Sequence, residues 1–276
     1  MARIESLNML LESGGKDALS EQYGKVIENI SKTTISGTLK NKDLSGTPTS
    51  GSVEAKRFAN STSNAYGTAR SGNKGASVKA EPVTVAINVD REIIEEIEEK
   101  DVSLYGVDDV VNRRVANHGK SMERELERAF FAEAVNKGTA LSTEKTAINE
   151  KIEALIQQIE MTKNDYVDGV DRDLISITCD TVTYGELRDF LDKDANNANV
   201  DTASAVFGRY HGVRIYSSVY LPSGTKAVGM VDGSIAQPVL PTVATPEKIQ
   251  LSNAIGFGIF YSYGTKAVAP DLIYKF

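Results

Sequence analysis

The 276-residue sequence has no tryptophan, one cysteine and two histidines. Each scarcity excludes a class of protein. Cys179 cannot close an internal disulfide, and His118 and His211 lie too far apart in sequence to form a local zinc-binding cluster. Neither a disulfide framework nor a zinc site is expected. Seven prolines and 22 glycines without a period exclude collagen-like and low-complexity chains. No apolar run reaches the roughly 18 residues of a membrane span, and the opening Met1-Ala-Arg-Ile-Glu-Ser-Leu-Asn is not a signal peptide. A soluble, intracellular product with no membrane partner is therefore expected, and the Asn-x-Ser/Thr matches at Asn29 and Asn60 carry little weight.

What is present is an ordinary globular composition, 41% hydrophobic and 25% charged, long enough for one or two domains. The formal charge of −7 argues against the whole chain being a polyanion-binding module. Its distribution is uneven. Residues 90–101, Asp-Arg-Glu-Ile-Ile-Glu-Glu-Ile-Glu-Glu-Lys-Asp, hold seven acids and two bases. Residues 51–80 hold Lys56, Arg57, Arg70, Lys74 and Lys79 against Glu54. A basic stretch precedes an acidic one, which the pattern presents as a short helix with Ile93, Ile94 and Ile97 opposite a polar face.

The chain divides by pattern. Residues 1–35 carry two short amphipathic repeats, on Ile4, Leu7, Leu10 and Leu11 and on Leu19, Tyr23, Val26, Ile27 and Ile30, which predict two small helices too short to stand alone. Over residues 45–80 the only large apolar side chains are Val53, Phe58, Tyr66 and Val78, so this excursion cannot make its own core. It re-enters a core at Val83, Val85, Ile87 and Val89, which alternate as a half-buried strand does. The strongest helical stripe, Val107, Val110, Val111, Val115, Met122, Leu126, Ala129, Phe130 and Ala134, predicts a helix of roughly 45 Å with Gly138 as its stop. His118 fills a gap in that stripe and reads as a packing residue.

Beyond residue 145, helix and strand alternate. Ile148, Ile152, Leu155, Ile156 and Ile159 mark a helix, Leu174 to Cys179 a strand, and Thr183-Tyr-Gly-Glu186 a capping box opening a helix through Leu187, Phe190 and Leu191. Val213 to Leu221 alternates as a second strand before the turn Pro222-Ser-Gly224, and Ile255, Phe257, Ile259 and Tyr261 as a third, with Gly256 and Gly258 opposite. Cys179 belongs to a buried strand face and is no nucleophile.

No motif carries chemistry. Gly15-Lys16 is followed by Asp17 after a helical pattern, so it is no phosphate loop, and Gly256-Phe-Gly258 lacks the helix and third glycine of a dinucleotide fingerprint. The pairs Glu95-Glu96 and Glu98-Glu99 fit a solvated or subunit-facing surface better than an acid and base. No catalytic residue, metal ligand or cofactor is expected.

The order of these pieces resembles the major capsid proteins of tailed bacteriophages with the HK97 fold. Carrying the likeness are Val89-Asp-Arg-Glu-Ile-Ile-Glu-Glu-Ile97 followed by the long helix to Phe130-Phe-Ala-Glu-Ala134, and Gly208-Arg-Tyr-His-Gly-Val-Arg-Ile-Tyr-Ser-Ser-Val-Tyr-Leu-Pro-Ser-Gly224 followed by Ala227-Val-Gly-Met-Val231. The resemblance implies an α+β chain with an N-terminal arm (1–45), an extended E-loop (46–82), a peripheral domain with a long spine helix (83–140), a mixed α/β axial domain (141–235) and C-terminal strands returning to the peripheral domain (236–276). It implies a non-enzymatic shell protein whose copies, as hexamers and pentamers, form an icosahedral head around double-stranded DNA held without sequence-specific contacts. The short arm favours a separate scaffolding protein, and a portal completes the expected partners. The virion, and the host cytoplasm during assembly, are the expected locations. An E-loop that reaches over a neighbour would bring Lys56, Arg57, Phe58, Arg70 and Lys74 to the neighbour's Glu95, Glu96, Glu98 and Glu99. The alternatives are an encapsulin compartment on the same fold and a soluble α/β enzyme with a mobile basic loop.

Overall fold

The computed structural model describes residues 35–46, 51–63, 65–66, 78–98, 107–192, 209–243, 247–250 and 252–276. The two helices expected before residue 35, and the side chains of Val107, Val110, Val111 and Val115, lie outside the described residues. In chain order the elements are α1 (Ile35–Leu39), β1 (Leu44–Ser45), β2 (Ser52–Phe58), β3 (Ala80–Ala86), β4 (Val89–Ile97), the long α2 (Val107–Lys137) and β5 (Thr139–Ala140). There follow α3 (Ile148–Glu160), a 3-10 turn (Arg172–Leu174), β6 (Ile175–Cys179), α4 (Thr181–Asp192), β7 (Arg209–Tyr210), β8 (Val213–Ser217), β9 (Ala227–Val231) and β10 (Ile235–Ala236). The chain closes with β11 (Val239–Val243), β12 (Glu247–Lys248), β13 (Ile255–Tyr263), β14 (Lys266–Ala267), a 3-10 turn (Pro270–Leu272) and β15 (Ile273–Lys275).

A six-stranded sheet, in the order β5-β15-β9-β6-β8-β7, forms the mixed α/β part. All five residues of β6 are buried, as expected of a central strand covered on both faces. β6 runs parallel to β8 through the crossover helix α4. Helix α3 buries Ile152, Leu155, Ile156 and Ile159 against Ile175, Ile177 and Val213. Gly229 of β9 lets it approach, since a Cβ there would stand 2.1 Å from Leu155 Cδ2. Two details differ from the sequence reading. Helix α4 begins at Thr181 and is capped by Asp180, whose Oδ1 accepts the Thr183 N–H at 2.7 Å, so Thr183 is inside the helix and buried instead of capping it. Strand β8 ends at Ser217, because Ser218 Oγ accepts the Tyr220 N–H and turns the chain, leaving Val219 exposed.

The second sheet centres on β13, with β4 on one side and β11 and β12 on the other. Here lies the largest correction: residues 89–97 form no acidic helix but a strand, antiparallel to β13 from Val89↔Tyr263 to Ile97↔Ile255. The spacing of Ile93, Ile94 and Ile97 fits either form over so short a run. β-Branched side chains and nine cross-strand partners decide for the strand. Gly258 allows the close pairing, since a Cβ there would meet Ile93 O at 2.6 Å.

Helix α2 crosses this sheet and reaches the first one. Met122, Leu126, Phe130, Phe131 and Ala134 are buried along it. Phe130, Phe131 and Ala134 pack with Leu39 of α1, Val228 and Met230 of β9, and Ile273 of β15. The helix stops at Gly138, where a Cβ would clash with Ala134 O at 2.6 Å. The C-terminal segment does not stay with the peripheral sheet: β15 inserts between β5 and β9 of the other sheet. Among the described residues no helix is long and apolar enough to cross a membrane.

Truncating Phe130, fully buried where the two halves meet, is expected to cost about 3 to 5 kcal/mol, and Leu126→Ala about 2 to 5 kcal/mol. Urea unfolding should show a lowered midpoint at unchanged m-value. A loss under about 1 kcal/mol in either variant would contradict the packing of this helix.

Candidate assembly interface

Strands β2 and β3 form a seven-pair antiparallel hairpin, Ser52↔Ala86 to Phe58↔Ala80. Its root is built into the body. Val53, Ala55 and Val85 are buried against Ala236 and Val268, so the excursion, which has no core of its own, shares one with the body. Toward its outer end the described large apolar side chains are exposed: Phe58 is 58% exposed, Val78 83% and Tyr66 93%.

Alternation along β2 sorts the charges. Lys56 lies with Glu54 and Phe58 on the outer face, while Arg57 follows Val53 and Ala55 inward. Inside, Arg57 makes a bidentate pair with Asp271, at 2.6 and 2.7 Å, and its guanidinium lies over the Tyr166 ring at 4.8 Å. Asn164 Nδ2 donates to the same Asp271 at 2.5 Å, and the Asn60 N–H donates to Asp165 O at 2.8 Å. Burial opposes ionisation of Asp271, but Arg57 and Asn164 outweigh it and hold the carboxyl below the usual range. The hairpin is thus clasped to the 164–166 loop and the last 3-10 turn.

The acidic strand is sorted in the same way. Glu95 points under α2, where it accepts two bonds from Arg114 at 2.5 Å and faces His118 Nε2 at 3.0 Å. His118 is 1% exposed and stacks on Phe257 with ring centroids 5.8 Å apart. Burial lowers the His118 pKa, Glu95 opposes the shift and Arg114 reinforces it. Farther along the helix, Glu125 accepts from Tyr261 at 2.8 Å, Tyr263 at 3.0 Å and Arg91 Nε at 2.6 Å. Burial opposes its ionisation, yet these donors hold it below the usual range, while burial and the carboxylate push the Tyr263 phenol up to about 12. On the opposite face, Asp90, Glu92, Glu96 and Glu98 are exposed, with Ile94 55% and Phe260 38% exposed among them.

Of the residues expected at a subunit contact, Lys56, Phe58, Glu96 and Glu98 lie on the surface. Arg57 and Glu95 face inward and are paired within the chain, which corrects their expected place. Arg70, Lys74 and Glu99 lie outside the described residues. The partners Asp271, Asn164, Tyr166 and Glu125 carry no signal in the sequence. Only a period-two reading of β2 and β4 would have shown that Arg57 and Glu95 need such partners.

A family model described as phage capsid protein matches residues 86–276. Among solved structures, the chain is similar to a chain from Mycobacterium phage Che8, at 15% identity and TM-score 0.61, covering 82% of this chain and 84% of that one. It is also similar to the capsid of cyanophage P-SCSP1u, at 11% identity and TM-score 0.64, covering 88% and 87%. A virus-like particle from Pyrococcus furiosus matches at 11% identity and TM-score 0.53, covering 93% and 97%. No protein of curated function matches.

Two outcomes test this geometry. In Arg57→Gln, amides of residues 56–63 should exchange with deuterium roughly ten- to a hundred-fold faster than in wild type, as loss of a charge-assisted pair implies, while Val53 stays protected. Unchanged exchange would show that the clasp does not hold the hairpin. For His118, the unfolded chain, with an ordinary pKa near 6.5, takes up the proton more readily than the fold. The stabilising effect of the neutral ring is complete above about pH 6.5 and is lost as pH falls below it. The melting temperature should therefore drop more steeply between pH 7 and 5.5 in wild type than in His118→Gln, and equal slopes would exclude His118.

Proposed function

This chain belongs to the phage capsid protein family, and from that membership we propose that its copies, as hexamers and pentamers, close an icosahedral head around packaged double-stranded DNA. It is a structural major capsid protein with the HK97-like fold, and capsid shells built of many copies are its product. The observation that carries the proposal is the family match over residues 86–276, which takes in the spine helix and both sheets. The same match favours a phage head over an encapsulin compartment, although the Pyrococcus furiosus particle shares the fold. A separate scaffolding protein and a portal are the further partners of this reading. Assembly would take place in the host cytoplasm before the chain becomes part of the virion.

Within such a shell the β2–β3 hairpin is the E-loop. Its root belongs to its own subunit, and the exposed Lys56, Phe58 and Val78 beyond it suit contact with the next one. The outer face of β4, with Glu92 and Glu96 around Ile94, suits them in charge and in its apolar centre. Each exposed pair is worth only about 0 to 1 kcal/mol and is screened beyond roughly 8 Å at physiological salt. Repeated at every contact, such pairs govern assembly rate and register more than final affinity.

Negative-stain electron microscopy of the purified chain, alone and with its scaffolding protein, should show closed shells, and persistent monomers in both would overturn the proposal. Reversing Lys56 and Lys79 to Glu should slow assembly in light-scattering traces and weaken its salt dependence. Adding Glu92→Lys and Glu96→Lys to the same chain should partly restore both. Simple addition of the two defects, without rescue, would show that these segments do not meet.

A further inference from the structure

Helix α2 separates its charges more sharply than its composition suggests. Between residues 114 and 137 its exposed charged side chains, Arg114, Lys120, Arg124, Arg128 and Lys137, are all basic. Three of its four carboxylates there are engaged by other elements. Glu125 binds Tyr261, Tyr263 and Arg91, buried Glu127 accepts the Ser36 N–H at 3.1 Å, and Glu133 accepts the Ala267 N–H at 3.0 Å. Glu123 is half-buried at the edge of a cleft beside α1. Arg114 is neutralised by Glu95. Among the described residues, Lys120, Arg124 and Arg128 form no ion pair: Arg124 donates to Lys120 O and Ser121 Oγ, and Arg128 lies over the Tyr220 ring at 5.6 Å.

These three cations stand four residues apart on one helix, about 6 Å between neighbours and about 12 Å end to end. Duplex DNA presents one phosphate per roughly 3.4 Å of axis on each strand. Three cations at this spacing can each neutralise one phosphate. The ridge rises between two clefts, one lined by Lys120, Arg124, Ser217 and Ser218 with Glu123 and Glu127, the other by Arg91, Ser121, Arg124 and Arg128 with Glu125, which the tyrosines and Arg91 engage. None of the exposed large apolar side chains among the described residues lies on the helix itself; Val219, across the first cleft on the β8 side, is 70% exposed. A protein partner normally inserts an apolar or aromatic anchor, whereas a phosphodiester backbone asks only for positive charge.

We propose that the Lys120-Arg124-Arg128 ridge is the surface through which the shell holds the backbone of the nucleic acid it encloses. This rests on the reading of the chain as a DNA-filled head and gives that contact its residues. Binding there is independent of base sequence and strongly dependent on salt.

The test uses the full-length unassembled chain and a fluorescein-labelled 30-base-pair duplex, with anisotropy followed from about 50 to 200 mM NaCl, the range over which such binding weakens. Wild type should bind, with affinity falling steeply with salt. The combined variant Lys120→Gln, Arg124→Gln, Arg128→Gln should bind more weakly, with the slope of log K against log salt reduced by up to about 2.7, or about 0.9 for each phosphate no longer neutralised. Arg124→Gln alone should lower it by about 0.9, a second reading should the triple variant melt early by circular dichroism. The charge-keeping variant Lys120→Arg, Arg124→Lys, Arg128→Lys should match wild type.

Absence of wild-type binding, an unchanged slope in the Gln variants, or equal loss in the charge-keeping variant overturns the proposal. So does a Gln variant that binds DNA normally but no longer retains the scaffolding protein in a pull-down, which would assign the ridge to a protein partner. Shell formation by microscopy reports separately on the capsid reading. Shells without ridge-dependent binding overturn the ridge alone, and ridge-dependent binding without shells overturns the shell reading.

Discussion

Everything in the peripheral half depends on one pairing, that of β4 with β13 beneath the long helix. Nine cross-strand partners bring residues 89–97 and 255–263 together, and α2 locks them from above with polar as well as apolar contacts. Glu125 receives hydrogen bonds from β13 through Tyr261 and Tyr263 and from β4 through Arg91, while Glu95 returns the arrangement from β4 to Arg114 and His118 on the helix. Two carboxylates thus tie three elements. Removing either would leave guanidinium or hydroxyl groups partnerless in a part-buried setting, the costly direction for a polar network.

The same helix ties the two sheets, because Phe130 and Phe131 pack with β9 and β15. The hairpin depends on this frame in turn, since its root rests on Ala236 and Val268, and its clasp on Asp271, from the segments that flank β13. The division between seated root and exposed end runs along a single strand, from buried Val53 to exposed Phe58.

The long helix, α3, β6 and β13 were legible because each carries a long or strongly periodic apolar pattern, as with Ile152, Leu155, Ile156 and Ile159. The acidic strand was not, because nine residues with isoleucines at 93, 94 and 97 satisfy both periods, and the strand that decides between them lies far along the chain. Thr183 lost its expected capping role to Asp180, three residues earlier, since either could serve in local sequence and only packing buried Thr183. The charge contrast between residues 51–80 and 90–101 was visible as composition. That Arg57 and Glu95 belong inside was not, because a sum of charges carries no face.

The distance in sequence between the two paired strands also sets an order of events in synthesis. Ile97 faces Ile255 and Val89 faces Tyr263, so the acidic strand leaves the ribosome long before its partner exists. At about 5 to 20 residues per second, the nascent chain waits roughly 8 to 30 seconds for that partner. Until then the edge of β4 that pairs with β13 has no strand to join, and pairings this distant in sequence are slow to close even afterwards. During that interval its row of aspartate and glutamate keeps an unpaired strand edge from joining another chain. A complete subunit exists only once β13 has been made, which delays polymerisation until that strand has left the ribosome.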